Sequence, residues 1–489
     1  MKEKNIAASA KLNWEVFAFL ALYILLPDYF AVEFSQSLPL ITASRVLILL
    51  MGAMAVIRRR DIFTLKDFRF QKLNLLLTQD KFLRISMGAY FVILILVNAT
   101  FLLDTSEAIK QLFVMASEEY LVIWLLCMTI DSREKVVSAL RVLVLSSGVC
   151  AVAAGISTAI DFNIFTLLNT VSRDMIIRPY YRYGMLRAVA GFHHAVYYGA
   201  YCAVMLPLCM YFVETTENKR WKKIYCACTV LDLLGLLLSN SRGSMLAFGC
   251  TAAVIFFGRM MQKSLKKLFA TYLPLIAIAA ALFLLTGLVS PAGRPYLDYI
   301  RDSVVDMFTP DPTEPTVDPT DPSAPTDPTE PTEEEETKPV IKPPEFGENR
   351  NGVNSRLAQL TGILYTMQRA PIFGFGPNAH TRGLVGYMYQ EGTWSFLKTV
   401  DMNLVAIICQ YGIIGLLGFL SLYGGMGIRF LKKKYRGDRL MQYFFLSFLC
   451  YMLCLASISF LHKWFWVFTG LFLCLVNVLR KESKNEDEI

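Results

Sequence analysis

Arg242 stands in the stretch Leu238-Ser239-Asn240-Ser241-Arg242-Gly243-Ser244, between the end of one apolar run and the start of the next. Hydrocarbon solvates charge poorly, so a cation at such a place is costly unless it meets an anion or lines a water-filled cavity. The plainer alternative is a guanidinium that snorkels to lipid headgroups. Arg356 follows Ser355 where a helical pattern opens at 357–368. Serine suits a helix N-terminus, whereas a cation there opposes the helix dipole, so a nearby anion would relieve Arg356. A plain surface arginine is the other reading. Upstream, Arg178-Pro179-Tyr180-Tyr181-Arg182-Tyr183, with Arg187 just after it, interleaves basic and aromatic residues. Such a strip lies along a membrane interface, or it stacks on sugar rings and holds phosphate. The planar guanidinium fork grips phosphate oxygens in pairs, which a lysine cannot do.

The elements that must carry these residues are apolar helices. The chain has 489 residues, of which 55% are hydrophobic and only 18% charged. Soluble chains are nearer 45–50% apolar and about 25% charged, so a single soluble globular domain is excluded. A bilayer-spanning helix needs about 20 mostly apolar residues. Twelve runs qualify as candidates: 14–32, 38–57, 85–103, 112–130, 136–160, 191–213, 224–239, 245–258, 268–289, 402–428, 441–460 and 464–479. The pair 224–239 and 245–258 is short and reads either as two spans or as one broken element. The first run is too long for a cleavable signal peptide, and Pro27-Asp28-Tyr29 after it is not a small-residue cleavage site. The expected fold class is all-α: a polytopic integral membrane helix bundle of about twelve transmembrane helices, with one large external loop between the ninth and tenth spans.

Lysine and arginine set the orientation. With both termini cytoplasmic, 31 of the 48 basic residues fall on cytoplasmic segments. The formal charge of +8 is then mostly topology, and a nucleic-acid partner is left without support. The external basic residues comprise twelve arginines and five lysines, the bias expected of a face that meets a phosphate-bearing ligand. Contact with lipid phosphates is the bland account of part of that bias. All 11 cysteines lie in or beside apolar runs, as small hydrophobes and not as a disulfide frame or zinc site. The expected organisation is 1–190, N-terminal spans and first external loop; 191–289, spans with the Ser-Arg-Gly turn; 290–400, the large loop; and 401–489, the C-terminal spans and cytoplasmic tail. Within the loop, 309–344 is rich in proline, threonine and acid and cannot bury a core, so it reads as an extended or disordered spacer. Residues 350–400 read as structured.

Four pieces of the second half recur together in one known family. They are the turn Leu238 to Ser244; Ser355-Arg356 opening a helix; Ala370-Pro371-Ile372-Phe373-Gly374-Phe375-Gly376 closing it; and Asp401-Met402-Asn403 followed by Gln410-Tyr411-Gly412-Ile413-Ile414-Gly415. Arg187 with Gly191-Phe192, ahead of a run containing Pro207, adds a fifth. In this order around one large loop, they make the sequence resemble the O-antigen ligase and O-antigen polymerase family of bacterial polysaccharide assembly, over about residues 187–430.

The resemblance implies a metal-independent, cofactor-free glycosyltransferase in the bacterial cytoplasmic membrane. Its substrate would be an oligosaccharide linked through diphosphate to a long polyprenol, used at the outer face. Polymerases take a second lipid-linked repeat unit as acceptor, and ligases take another molecule. Membrane lipids would be further partners, as would other assembly proteins such as a flippase or a chain-length regulator. Arg242, Arg356, Arg187 and Arg182 are the candidates for holding the diphosphate, whose growing charge in the transition state fixed cations stabilise. The acceptor hydroxyl needs a general base. Ligases carry a His followed by Asn ahead of the Gly-x-x-Gly step, and here that place holds Asp401-Met402 with Asn403 next. Asp401 is therefore the candidate base and His380 its rival on the external loop. That departure tells against the ligase more than the polymerase. His194 and Asn403 are candidates for contact with phosphate or sugar, although hydrogen bonding into neighbouring helices is the commoner duty of such residues. From a different class, a flippase or transporter of lipid-linked oligosaccharide would also use many spans and outer arginines. Transporters commonly show paired repeats with broken helices, and no such repeat is evident here.

Overall fold

The computed structural model describes residues 12–34, 40–58, 78–171, 179–182, 184–291, 293–295, 297–299, 301, 352–390, 393–459 and 461–487. The insert at 309–344, Arg178 and the side chain of Ser355 lie outside these residues. Helices dominate: α1 (Trp14–Leu22), α2 (Ala43–Arg58), α3 (Lys81–Thr100), α4 (Ser106–Thr129), α5 (Arg133–Ala159), α6 (Ala195–Thr215), α7 (Lys219–Leu238), α8 (Arg242–Met261), α9 (Leu265–Val289), α10 (Gly352–Arg369), α11 (Asn403–Leu431), α12 (Arg439–Cys454) and α13 (Lys463–Asp487). Among the described residues there are three two-stranded antiparallel hairpins: β1–β2 (Ala31–Val32, Ile41–Thr42), β3–β4 (Tyr181–Arg182, Met185–Leu186) and β5–β6 (Gly386–Gln390, Thr393–Phe396).

The all-α membrane bundle expected from the sequence is what the chain forms. Each of the twelve apolar runs carries a helix. Among the described residues, eight helices are long and apolar enough to cross a membrane: α3, α4, α5, α6, α8, α9, α11 and the 463–483 part of α13. The other runs fall short for identifiable reasons. α1 has 9 residues, α2 and α12 have 16 each, and α7 opens with the charged turn Lys219-Arg220-Trp221-Lys222-Lys223. The ambiguous pair at 224–258 consists of two separate helices of 20 residues each, α7 and α8.

Local chemistry explains where the helices begin. Asp80 caps α3 by accepting from Phe82 N (3.0 Å) and Leu83 N (3.1 Å). Asn218 caps α7, Asp438 caps α12 and Ser132 caps α5 in the same manner. α6 is the central post, buried without interruption from Tyr198 to Val213, as expected of a helix that is apolar on every face. By contrast α8 and α9 leave most of their apolar surface uncovered by protein, which fits a lipid-facing rim.

Ion pairs collect at the two ends of the helices. Glu214, at the C-terminal end of α6, accepts from Arg259 and from Arg439 (2.6 Å), and Arg133 pairs with Asp438 at 2.6 Å. Towards the other end, Lys463 Nζ reaches Asp28 Oδ1 at 2.5 Å. A second, smaller core holds the structured part of the large loop. Ala379, Val385, Leu397, Val400, Val405, Ala406 and Cys409 are buried there, with Leu360 and Ile363 of α10 packed on them. Each fully buried branched side chain contributes about 1.5–3 kcal/mol, enough to seat α10 against the start of α11.

Candidate active site

The turn between α7 and α8 is built by its own backbone and held by arginines from far upstream. α7 ends at Leu238, Asn240 takes a left-handed φ of 49°, and Arg242 opens α8. The carbonyls at the end of α7 have no helical partner, so they need donors from elsewhere. Ala188 N donates to Leu238 O at 2.9 Å. Arg187 Nε donates to Ser239 O at 2.9 Å, and its Nη2 to Asn240 O at 3.3 Å. Arg182 Nη1 donates to the same Asn240 O at 2.8 Å. Cations at a helix C-terminus are also favoured by its dipole. The structure thus brings Arg182 and Arg187, candidates at the sequence level, to the turn that carries Arg242. Arg242 is itself exposed.

His194 joins this group as the N-cap of α6. Its Nδ1 accepts from Val196 N at 3.1 Å, and its ring lies edge-on to Tyr180 with centroids 4.2 Å apart. With Nδ1 used as an acceptor, the proton of the neutral ring sits on Nε2.

A short link between α12 and α13 connects this cluster to the second group of candidates. A Cβ on Gly243 would lie 2.2 Å from Ser457 Oγ, so only glycine lets α8 touch the link so closely. The same link receives Asn403: its backbone N donates to Leu455 O at 3.0 Å, and its Nδ2 to Ser459 O at 2.9 Å. Tyr423 OH donates to Asn403 Oδ1 at 3.3 Å, and Tyr197 OH lies 3.1 Å from Ser459 Oγ. Asn403 is therefore buried, with both ends of its amide engaged by protein. Two residues earlier, Asp401 faces α10. Its N donates to Gln359 Oε1 at 2.9 Å, Gln359 Nε2 lies 3.5 Å from its Oδ2, and Arg356 Nε lies 3.9 Å from that oxygen. The anion that would relieve Arg356 is thus Asp401, in a pair that leaves 45% of the Asp401 side chain and 37% of the Arg356 side chain exposed.

His380 has a different setting. Its loop is tied to α4 and α11, through Asn378 Nδ2 donating to Glu107 at 2.8 Å and Asn378 N donating to Gln410 Oε1 at 3.2 Å. The ring is buried, and that burial lowers its pKa and keeps it neutral.

The glycine motifs of the loop and of α11 turn out to be two halves of one joint. Gly412 breaks α11 with φ 63° and ψ −160°. The groups freed by the break are closed by the loop: Phe375 N donates to Cys409 O and Gly376 N to Gln410 O, both at 2.9 Å. In return Ile413 N donates to Pro371 O at 2.9 Å and Ile414 N to Ile372 O at 3.2 Å. A Cβ on Gly412 would lie 2.3 Å from Ile372 O, so backbone meets backbone only because that residue is glycine. A broken helix in a membrane protein persists where such partners re-satisfy the freed groups.

Sequence reasoning missed Gln359, which positions Asp401, and the cluster around Asp28. Lys463 and His193 both reach Asp28, the latter at 3.4 Å, and His462 packs on Phe192 with ring centroids 4.8 Å apart. The available signal was the set of charged and imidazole residues at span ends, Asp28, His193 and His462-Lys463. Among the described residues, no group of three or more His, Cys, Asp or Glu is placed to hold a metal.

Residues 227–420 match the family model described as O-antigen ligase. That segment runs from within α7 to within α11 and contains Arg242, Arg356, His380, Asp401, Asn403 and the Gly412 joint, whereas Arg182, Arg187 and His194 precede it. No curated protein matches the chain.

Proposed function

We propose, from the premise that residues 227–420 are an O-antigen ligase family segment in a multi-pass membrane bundle, that this chain is a polymerase of polyprenyl-diphosphate-linked oligosaccharide repeat units. The observation that carries the reading is the gathering of two arginine groups along one link. Arg242, Arg187 and Arg182 stand at the α7–α8 turn, the Arg356–Asp401 pair stands at the start of α11, and the contacts of Gly243 and Asn403 with 455–459 join them.

In this reading the arginines at the turn hold the diphosphate of the donor. The acceptor hydroxyl oxygen attacks the anomeric carbon of the donor glycan. Its proton passes to an Asp401 carboxylate oxygen as the new glycosidic bond forms. The bond from the anomeric carbon to the diphosphate oxygen breaks, and the polyprenyl diphosphate leaves with that electron pair. The guanidiniums of Arg182 and Arg187, already fixed by backbone carbonyls, stabilise the developing charge without reorganising. Gln359 and Arg356 orient the Asp401 carboxylate. His194 lies beside Arg187 through Tyr180 and would offer its Nε2–H to a phosphate or sugar oxygen. Asn403 supports the site by holding the link, and substrate contact from its amide would require those bonds to open. The work would take place at the outer face of the bacterial cytoplasmic membrane, with both termini cytoplasmic.

The test is incubation of the purified full-length chain in nanodiscs with a defined polyprenyl-diphosphate-linked repeat unit. A ladder of longer lipid-linked glycans is the expected product. Transfer only to a different acceptor makes it a ligase. Movement of unchanged substrate between leaflets, with no new glycosidic bond, overturns the enzyme reading in favour of a flippase.

A further inference from the structure

At the end of the bundle away from Asp401, a cavity of about 610 Å³ opens among the ends of three helices. α13 runs from Lys463 to Arg480 and α11 from Asn403 to Arg429, so this cavity and the candidate active site are separated by of order 25–40 Å of helix. Its volume is that of a typical small-ligand site. Among the described residues, Lys81, Arg429, Lys432, Lys434 and Arg480 line it, against one carboxylate, Asp80. That carboxylate has its own partners. It caps α3 through Phe82 N and Leu83 N, and it accepts from Arg429 Nη2 and from Tyr435 OH at 3.4 Å. The lining therefore keeps a large positive excess.

An excess of basic residues at this end follows from topology alone, so charge by itself would carry little. Arg429 adds an independent observation. It is 4% exposed, it lines the cavity, and among the described residues its Nε has no hydrogen-bond partner. A buried guanidinium N–H without an acceptor is costly and marks a place where an acceptor is expected. Its face is held over the Phe82 ring at 4.6 Å, which fixes the plane of the fork. The remaining lining is Tyr435, Ser483, whose Oγ accepts from Lys434 Nζ, and an apolar side that leads outward. Phe82 and Ile85 border the cavity and are exposed on α3, on a helix that also exposes Val92, Ile95 and Leu96. An anion in the pocket would thus sit beside a surface that meets acyl chains.

We propose that this pocket is a second phosphate-binding site, taking a phosphate carried at the head of an anionic lipid. Arg429, Lys432, Lys434 and Arg480 receive the phosphate oxygens, and the Phe82–Ile85 side of α3 receives the start of the acyl chain. Occupancy would tie α3, α11 and α13 together at the end remote from the glycan chemistry. Neither the family segment nor the proposed reaction requires such a site, so the two ideas stand or fall separately.

The test is thermal unfolding of the detergent-purified full-length chain titrated with phosphatidylglycerol, phosphatidylcholine or inorganic phosphate. The variants are the double change Lys432→Gln with Lys434→Gln, and Arg480→Gln alone in case the double variant folds poorly. Lys433→Gln, which removes an adjacent cation outside the lining, is the control. Phosphatidylglycerol should protect the wild type, and its half-effective concentration should rise by about 10–30-fold in the double variant. Lys433→Gln should leave it within about twofold, short of the roughly fivefold expected for one lysine in contact with the phosphate. Equal protection by phosphatidylcholine overturns the proposal. So does an equal shift from Lys433→Gln, because the effect would then be diffuse surface charge. Protection by inorganic phosphate as strong as that by phosphatidylglycerol overturns the lipid assignment and leaves a soluble phosphate ligand in its place.

Discussion

Replacing Asp401 by Asn separates the structural duty of this residue from its chemical one. Asn preserves the side-chain shape and the backbone bond from residue 401 to Gln359 Oε1, 2.9 Å in the wild type. What it loses for stability is the pairing with Arg356, which spans 3.9 Å with both side chains more than a third exposed. An exposed pair of this kind is worth about 0–1 kcal/mol, so the unfolding temperature should fall by no more than about 2–4 °C. What it loses for catalysis is the proposed base. Positioned general bases contribute about 10²–10⁴ in rate, equivalent to about 3–5.5 kcal/mol of barrier. The chemical loss should therefore exceed the stability loss at least threefold. The assay is glycan chain growth by equal amounts of purified variant and wild type, with unfolding temperature and retention of lipid-linked substrate measured on the same preparations. Substrate retention should be close to wild type, because the arginines at the α7–α8 turn are untouched. A variant that elongates within about threefold of wild type refutes the assignment of the base, since that is far below the smallest contribution expected. If His380→Ala is then inactive, His380 takes the role. If Asp401→Asn instead unfolds as readily as it loses activity, Asp401 is a structural residue.

Arg242→Lys keeps the charge but loses the fork, and chain growth should fall by about 10²–10³ at unchanged expression. Gly412→Ala forces a side chain to φ 63° with its Cβ 2.3 Å from Ile372 O, and should destabilise the chain by about 2–5 kcal/mol, read as loss of folded protein in detergent. Burial, followed by the charge of Lys463, depresses His462 to about 3, below its unfolded value of about 6.5. The unfolded chain therefore binds the extra proton, and the stability held by neutral His462 is present above about pH 6.5 and lost as pH falls towards 3. At pH 5 the loss is about 2 kcal/mol, and His462→Phe, which keeps a ring against Phe192, should show a correspondingly weaker acid destabilisation in unfolding scans. Cysteine placed at Ser323 should react with an impermeant reagent on intact cells, and labelling only after lysis would overturn the proposed orientation.

The twelve apolar runs were legible from composition because hydrocarbon demands internally satisfied backbone over a set length, whatever the neighbours. The arginine at the 238–244 turn and the glycines at 374 and 412 were visible for a similar reason, since each breaks a local rule that only context can repair. Their partners were not visible. Nothing in the local sequence says that Arg182 and Arg187 close the carbonyls of Ser239 and Asn240, more than fifty residues on. Nothing local says that Asp401 answers Arg356, or that two glycine motifs form one backbone joint. Asn403 read as a ligand candidate from its motif, and the fold uses its amide to hold the 455–459 link. The pocket of Asp80, Arg429 and Arg480 draws on three helices, so its residues read singly as positive-inside charge. Residue types and their spacing determine which helices form and which side chains are expensive where they stand. Which expensive groups meet depends on how the helices pack, because those contacts join residues tens to hundreds of positions apart that share no local pattern.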